Sequence, residues 1–293
     1  MQLTSYFSGL LGNIEPKPEF VKKAQKAHED LRDLLKKDEQ ISKANPDSFL
    51  SGSYARDTAI NDIKDVDVIL LIDLDCNKTT PDIAVGWLQA SLQNYYSKVI
   101  PQGRSVQVTA DNGVKLDVVL AVPISHRDGP VKIPDRDVKE WVVSHPKGQI
   151  SFATQRHKDT GEFYKHLVKI MKYWRDRIAD SNARVKSYIL ESLVAECIST
   201  EPQSYADAVV YILNCIYQRY SSYLSVALVP KIYDPGYSSV NVAKRWKFSE
   251  FSAFLAKIKT SFKIARAALD SDNEEQSIRL WRELFGSKFL QNE

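Results

Sequence analysis

The stretch Leu50-Ser51-Gly52-Ser53-Tyr54-Ala55-Arg56-Asp57-Thr58, with Asp65-Val66-Asp67-Val68-Ile69-Leu70-Leu71-Ile72 shortly after it, decides how this chain is to be read. The run from Val66 onward is rich in branched apolar residues, the composition of a strand covered on both faces. Aspartate is disfavoured in such a strand, yet Asp65 and Asp67 stand at its head. Side chains alternate along a strand, so these two point to one face. Two carboxylates at close range repel unless a cation lies between them, and a hard divalent cation held by oxygens removes the conflict.

A lone pair of aspartates at this spacing is ordinarily a strand end facing water. The neighbouring residues argue for more. Gly52-Ser53 closes another short β-like run; glycine lets backbone approach a ligand closely, and free N–H groups with a hydroxyl suit phosphate oxygens. A third carboxylate, Asp117, sits inside the apolar run Val114-Lys115-Leu116-Asp117-Val118-Val119-Leu120. Three such residues in neighbouring strands are the donor set of a two-metal site for nucleotidyl transfer, in which an α-phosphate is attacked in line and pyrophosphate leaves.

Outward from this core, periodicity predicts a long helix over residues 18–41, with Val21, Ala24, Ala27, Leu31, Leu34 and Leu35 on one stripe. Asn45-Pro46-Asp47 ends it. Short strands are expected at 48–50, 65–72, 104–109 and 114–122, with a helix over 83–96 between the second and third. From residue 151 the character changes. Helices are expected over 163–178, 187–198, 205–220 and 248–269, with 274–285 a further one. The expected fold class is therefore α/β and bilobed: a mixed N-terminal lobe over 1–135 that includes the long helix, then a helical lobe over 136–293. The polar stretch 125–137, with its Gly129-Pro130 and Ile133-Pro134 turns, is the expected linker.

A net charge of +3 offers no whole-chain case for DNA or membrane binding. Hydrophobic content of 43% and charged content of 26% are those of a soluble globular protein. Cys76, Cys197 and Cys215 form no CxxC pair, which argues against a zinc finger or a disulfide framework and suits a reducing cytoplasm. No run is long and apolar enough for a membrane span, and the first residues lack a signal-peptide profile. A cytoplasmic protein is expected. His126, His145, His157 and His166 have no metal-ligand spacing and read as surface residues.

Gly52-Ser53, Asp65-Val66-Asp67 and Asp117 together resemble the polymerase-β-like nucleotidyltransferase superfamily. The second half narrows the likeness: Leu167-Val168-Lys169-Ile170-Met171-Lys172-Tyr173-Trp174 and Lys186-Ser187-Tyr188-Ile189-Leu190-Glu191 resemble the cGAS/DncV-like family, whose bacterial members make cyclic oligonucleotides in anti-phage defence. The resemblance spans roughly residues 20–246. It implies a polymerase-β-like nucleotidyltransferase core with a C-terminal helical lobe. It also implies that Asp65, Asp67 and Asp117 bind two magnesium ions, for which manganese substitutes. Gly52 and Ser53 would hold the donor triphosphate, Lys172 and Ser187 would contact its β- and γ-phosphates, and Tyr188 would stack on a base. The zinc-binding insertion of vertebrate cyclic GMP-AMP synthase has no counterpart here, so no DNA requirement is expected.

The residues bear on these roles unevenly. Phe163, Leu167, Ile170, Met171, Trp174 and Ile178 make one apolar stripe, which leaves Lys172 on the opposite side, facing water or a cleft. A lysine there is ordinarily just solvated. Ser187 precedes an apolar-periodic helix and is expected at its N-cap, where a capping role and a phosphate role coexist. Tyr188 reads equally as a core aromatic.

The expected activity is synthesis of a cyclic di- or trinucleotide second messenger from nucleoside triphosphates, ATP among them, with the product acting on a separate effector. A linear-oligonucleotide or tRNA-end transferase is one rival, and it calls for a long basic track. A non-catalytic nucleotide-binding module is the other, and the intact carboxylate trio argues against it.

Overall fold

A computed structural model describes residues 1–61, 65–178 and 183–291. The first helix, α1, is Thr4–Ile14. The long helix expected over 18–41 is in fact two, α2 (Pro18–Lys37) and α3 (Glu39–Ser42), divided at Asp38. Asp38 is extended, and its Oδ1 accepts from the backbone N–H groups of Gln40 at 2.9 Å and Ile41 at 2.8 Å, capping the second helix. The same oxygen accepts from the Ser91 hydroxyl at 3.2 Å, so a buried acid ends one helix, starts the next and pins both to a third.

The elements that follow are β1 (Asp47–Ser51), α4 (Gly52–Ala55), β2 (Val66–Leu71), α5 (Pro81–Leu92), β3 (Val99–Pro101), β4 (Val106–Thr109), β5 (Lys115–Pro123), β6 (Val131–Asp135) and β7 (Glu140–Ser144). They form a sheet ordered β1-β2-β5-β4-β3, with β6 pairing β5 and β7 pairing β6. Among the described residues only β2 and β5 run parallel. Alternation sorts the side chains. Val66, Val68 and Leu70 of β2, with Leu116, Val118 and Leu120 of β5, pack against Ala27, Leu31 and Leu35 of α2 and Ala84 and Leu88 of α5. Each fully buried Val or Leu contributes about 1.5–3 kcal/mol, and that sum holds the strands in register. The opposite face carries Ile69, Leu71 and Ala121 in a smaller cluster with Val131.

The stretch 125–137, expected as a linker, is instead part of the sheet. Gly129-Pro130 is the turn of a hairpin in which Ile124 N–H donates to the Pro130 carbonyl at 3.1 Å. Asp135 is fully buried at the end of β6 and accepts from Arg104 at 2.7 Å. The division of the chain moves accordingly: the compact units are Pro16–Ser151, and Met1–Glu15 together with Phe152–Glu293, in place of a break after 135. The new boundary falls inside α6 (Pro146–Asp159).

The helical unit comprises α7 (Phe163–Ile178), α8 (Ser187–Cys197), α9 (Tyr205–Tyr220), the short pair β8 (Tyr233–Asp234) and β9 (Tyr237–Asn241), then α10 (Phe248–Asp270) and α11 (Glu274–Phe285). α1 belongs to it, with Phe7 edge-on to Trp281, Phe285 and Phe289. α7 is surrounded by α1, α8, α9 and α11. Its apolar stripe is real, but the side expected to face water is buried as well. Lys169, Lys172 and Arg175 are all less than 5% exposed. Lys169 pairs with Glu15 at 2.8 Å and Lys172 with Glu191 at 2.6 Å. Where α7 packs against its neighbours, buried cations need partners, and Lys169 and Lys172 take theirs from neighbouring elements.

Candidate active site

The site residues are set by strand register. In the parallel pairing of β2 with β5, Asp67 stands opposite Asp117; in the antiparallel pairing of β1 with β2, Ser51 stands opposite Asp67. Both aspartates share the face of Ile69 and Ala121, away from the main core. Asp65 immediately precedes β2 and is half-buried. Residues 62–64, just before it, lie outside the described residues.

Gly52 follows Ser51 at the end of β1 and opens α4 with φ of +69°. A Cβ at Gly52 would lie 1.7 Å from Oδ2 of Asp67, so only glycine fits against that carboxylate, and only glycine takes this φ without strain. The turn is closed by Thr58 N–H donating to the Ser53 carbonyl at 2.9 Å, and Ser53, next to Gly52, is half-buried. The sequence therefore brings together Gly52, Ser53, Asp65, Asp67 and Asp117 within one unit.

The electrostatics agree with the geometry. Burial, and then the negative charges of Asp65 and Asp117, push the Asp67 carboxyl up to about 6, with Arg56 opposing. Burial likewise raises Asp117, with the Gln107 amide and then Lys115 opposing and the Asp65 charge adding to it. Asp67 and Asp117, destabilised by burial and by neighbouring charge, are hard oxygen donors that suit a divalent cation. Among the described residues no three acidic, His or Cys side chains are already placed in ligating geometry. Like charges repel, and convergence onto an ion is what a cation's charge would supply.

Two residues that sequence reasoning missed belong here. Gln107 of β4 stands opposite Asp117 and donates from Nε2 to its Oδ1 at 3.1 Å. Arg56, buried at the end of α4, is the cation acting on Asp67. Arg56 lay within the motif that was quoted, and its charge there was the available signal; its burial is set by the fold. Gln107 carried only alternation between Val106 and Val108; its partner is set by pairing across the sheet.

The other expected contacts lie in the helical unit. Lys172 faces neither water nor a cleft, being held by Glu191 as described above. Ser187 is the first residue of α8 rather than its N-cap, which is Lys186. Its exposed side chain accepts from Arg175 Nη1 at 2.9 Å. Tyr188 is half-buried, and its hydroxyl donates to the buried Asp234 at 2.6 Å. Of the four histidines expected at the surface, His126 is exposed and the other three are half-buried, with His166 within 2.8 Å of the Tyr205 hydroxyl.

Residues 1–156 match the model of the Second Messenger Oligonucleotide or Dinucleotide Synthetase domain, and residues 151–263 match that of the cGAS/DncV-like nucleotidyltransferase C-terminal helical domain. A cyclic AMP-AMP-AMP synthase of Acinetobacter is 32% identical over 99% of this chain and 86% of its own length. A cyclic AMP-AMP-GMP synthase of Enterobacter hormaechei is 26% identical over 99% of this chain and 92% of its own. The fold matches that of Escherichia coli CdnC solved with ATP, at a TM-score of 0.79 and 17% identity over 99% of both chains. It also matches Vibrio cholerae DncV, a cyclic AMP-GMP synthase solved with a linear intermediate, at 0.73 and 12% identity over 99% of this chain and 97% of that one. With both of its halves matched and a relative this similar along nearly its whole length, the chain belongs to the cGAS/DncV-like nucleotidyltransferases, the metal-dependent enzymes that synthesise cyclic oligonucleotides.

Proposed function

We propose that the chain condenses three nucleoside triphosphates, at least two of them ATP, into a cyclic trinucleotide, using Asp65, Asp67 and Asp117 as ligands of two magnesium ions. The observation that carries the chemistry is the register that sets Asp67 beside Asp117, with Gly52 packed on Asp67. The ring size is supported by the relatives matched along nearly the whole chain, which are named as cyclic AMP-AMP-AMP and cyclic AMP-AMP-GMP synthases.

In each of the first two rounds an acceptor hydroxyl oxygen bonds to the donor α-phosphorus, the bond from that phosphorus to the β-phosphate oxygen breaks, and pyrophosphate leaves. In the last round the trimer's own terminal hydroxyl attacks its own 5′-triphosphate. Asp117 takes the hydroxyl proton. In the first unit Ser53 and the backbone at Gly52 hold the donor triphosphate; in the helical unit Ser187 has the chemistry of a phosphate contact and the Tyr188 ring that of a base-stacking group. Bound divalent metal supplies charge neutralisation for the triphosphate and lowers the pKa of the attacking hydroxyl, and manganese substitutes for magnesium. The product is a second messenger for a separate effector in bacterial anti-phage signalling, made in the cytoplasm without DNA; the scattered positions of the three cysteines support independence from a DNA-reading zinc module.

The test is mass spectrometry and phosphatase treatment of products formed by nuclease-treated enzyme from all four nucleotides with magnesium. The expected product resists alkaline phosphatase and has the mass of three nucleoside monophosphates less one water per linkage. A cyclic dinucleotide overturns the ring size, a phosphatase-sensitive ladder supports a linear-oligonucleotide synthase, and label found only on tRNA supports a tRNA-end transferase.

A further inference from the structure

We propose that Gln107 is a positioning residue that orients the Asp117 carboxylate, holding Oδ1 so that Oδ2 is the oxygen offered to the reaction; this rests on the function proposed above. Val106 and Val108 are buried in the main core, so alternation turns Gln107 to the face that carries Asp117. The antiparallel register places the two residues directly across from one another. Nε2 of Gln107 donates to Oδ1 at 3.1 Å, within the normal range for such a bond.

A second amide approaches the same atom: Gln102 Nε2 lies 3.5 Å from Oδ1. Gln102 is itself held in the turn between β3 and β4, where its backbone N–H donates to the Ser105 carbonyl at 2.8 Å and its Oε1 accepts from the Ser105 hydroxyl at 3.2 Å. Both amides converge on Oδ1, and among the described residues Oδ2 accepts no hydrogen bond. A carboxylate fastened by one oxygen cannot rotate freely, and Asp117 is only 9% exposed, so water has little access to compete.

The chemical type matters as much as the distance. A lysine or arginine would hold Oδ1 equally well but would cancel the charge that a divalent cation needs. A glutamine donates a hydrogen bond and leaves the charge in place. The role is therefore to set the direction of a ligand while leaving its negative charge in place.

The test uses full-length Gln107→Met, which keeps the length and removes the donor. Manganese binding to nucleotide-free protein is measured by the paramagnetic resonance of free Mn²⁺, alongside turnover and melting temperature. The expected result is Mn²⁺ affinity weakened about tenfold or more, in the range seen when ligand-orienting partners are lost, with a comparable loss of turnover and a melting temperature near wild type. Gln107→Asn, which keeps the amide but is too short to reach, is the second variant should the first fold poorly, and the same loss is expected. Wild-type Mn²⁺ affinity and turnover in a folded variant overturn the proposal. Asp117→Asn separates the two levels. If it loses Mn²⁺ affinity, the site reading stands whatever Gln107 does. If it binds Mn²⁺ as wild type does, the site reading itself fails.

Discussion

Gly52 and Asp67 touch across the first two strands so closely that Oδ2 of Asp67 occupies the space a Gly52 side chain would need, 1.7 Å from its Cβ position. Gly52→Ala therefore forces Asp67 aside and places a non-glycine residue at φ +69°. The expected outcome is a stability loss of about 1–3 kcal/mol with turnover reduced at least about a hundredfold, because the displaced group is one of the carboxylates proposed to hold the metal. Calorimetry and product formation check it. A Gly52→Ala protein with wild-type turnover shows that the contact does not constrain the site.

Asp67→Asn separates function from stability. With magnesium, this substitution, Asp65→Asn and Asp117→Asn are each expected to lower turnover at least about a hundredfold. In chelator the stability effect has the opposite sign. Folding raises the Asp67 carboxyl from 3.8 to about 6, so its ionised form is disfavoured in the fold. The penalty is absent below pH 4, grows as pH rises towards 6 and is complete above that. Asp67→Asn should thus be more stable than wild type at neutral pH, by at most about 3 kcal/mol at roughly 1.4 kcal/mol per unit. The advantage should vanish below pH 4. Denaturant melts at pH 4 and pH 7.5 decide it, and equal stability at both values refutes it.

Lys172 and Glu191 form a fully buried ion pair inside the helical unit. Removing one partner leaves the other charge buried, so Lys172→Ala and Glu191→Ala should each cost about 3–5 kcal/mol, while the apolar pair Lys172→Met with Glu191→Leu should recover most of that. Thermal melts of the three proteins check this. A Lys172→Ala protein with unchanged melting temperature and lost triphosphate affinity shows instead that the lysine serves the nucleotide.

The hydroxyl and the ring of Tyr188 are expected to act separately. Tyr188→Phe removes the bond to Asp234, which still accepts from Gly236 N–H at 2.8 Å. It should lose about 1–2 kcal/mol of stability with little change in KM. Tyr188→Ala should in addition raise the KM for nucleoside triphosphates severalfold, since stacking on a base is worth about 1–3 kcal/mol. Equal KM values for the two variants return the ring to a packing role.

Local pattern was enough to read much of this protein. The helices at 163–178, 205–220 and 274–285 begin and end where apolar periodicity predicts, because periodicity is a property of neighbouring residues. The acidic residues at 65, 67 and 117 and the glycine at 52 were legible for a related reason: each contradicts its own surroundings, charge in an apolar strand or a flexible residue at its end. Other features rest on partners far away in the chain. Glu15 meets Lys169 across 154 positions, which draws the first helix into the C-terminal unit. Lys172 was expected to face water or a cleft because a helical wheel shows only a side away from the stripe, and the other helices packed around α7 decide whether that side is open. Strand β6 lay hidden in a polar stretch, since its stability comes from pairing with β5 and β7 rather than from its own composition. Gln107 became part of the site only when antiparallel register set it across from Asp117. Sequence alone determined which residues carry charge where charge is costly; only the tertiary structure decided which groups compensate it, because compensation depends on distance in space and not on distance along the chain.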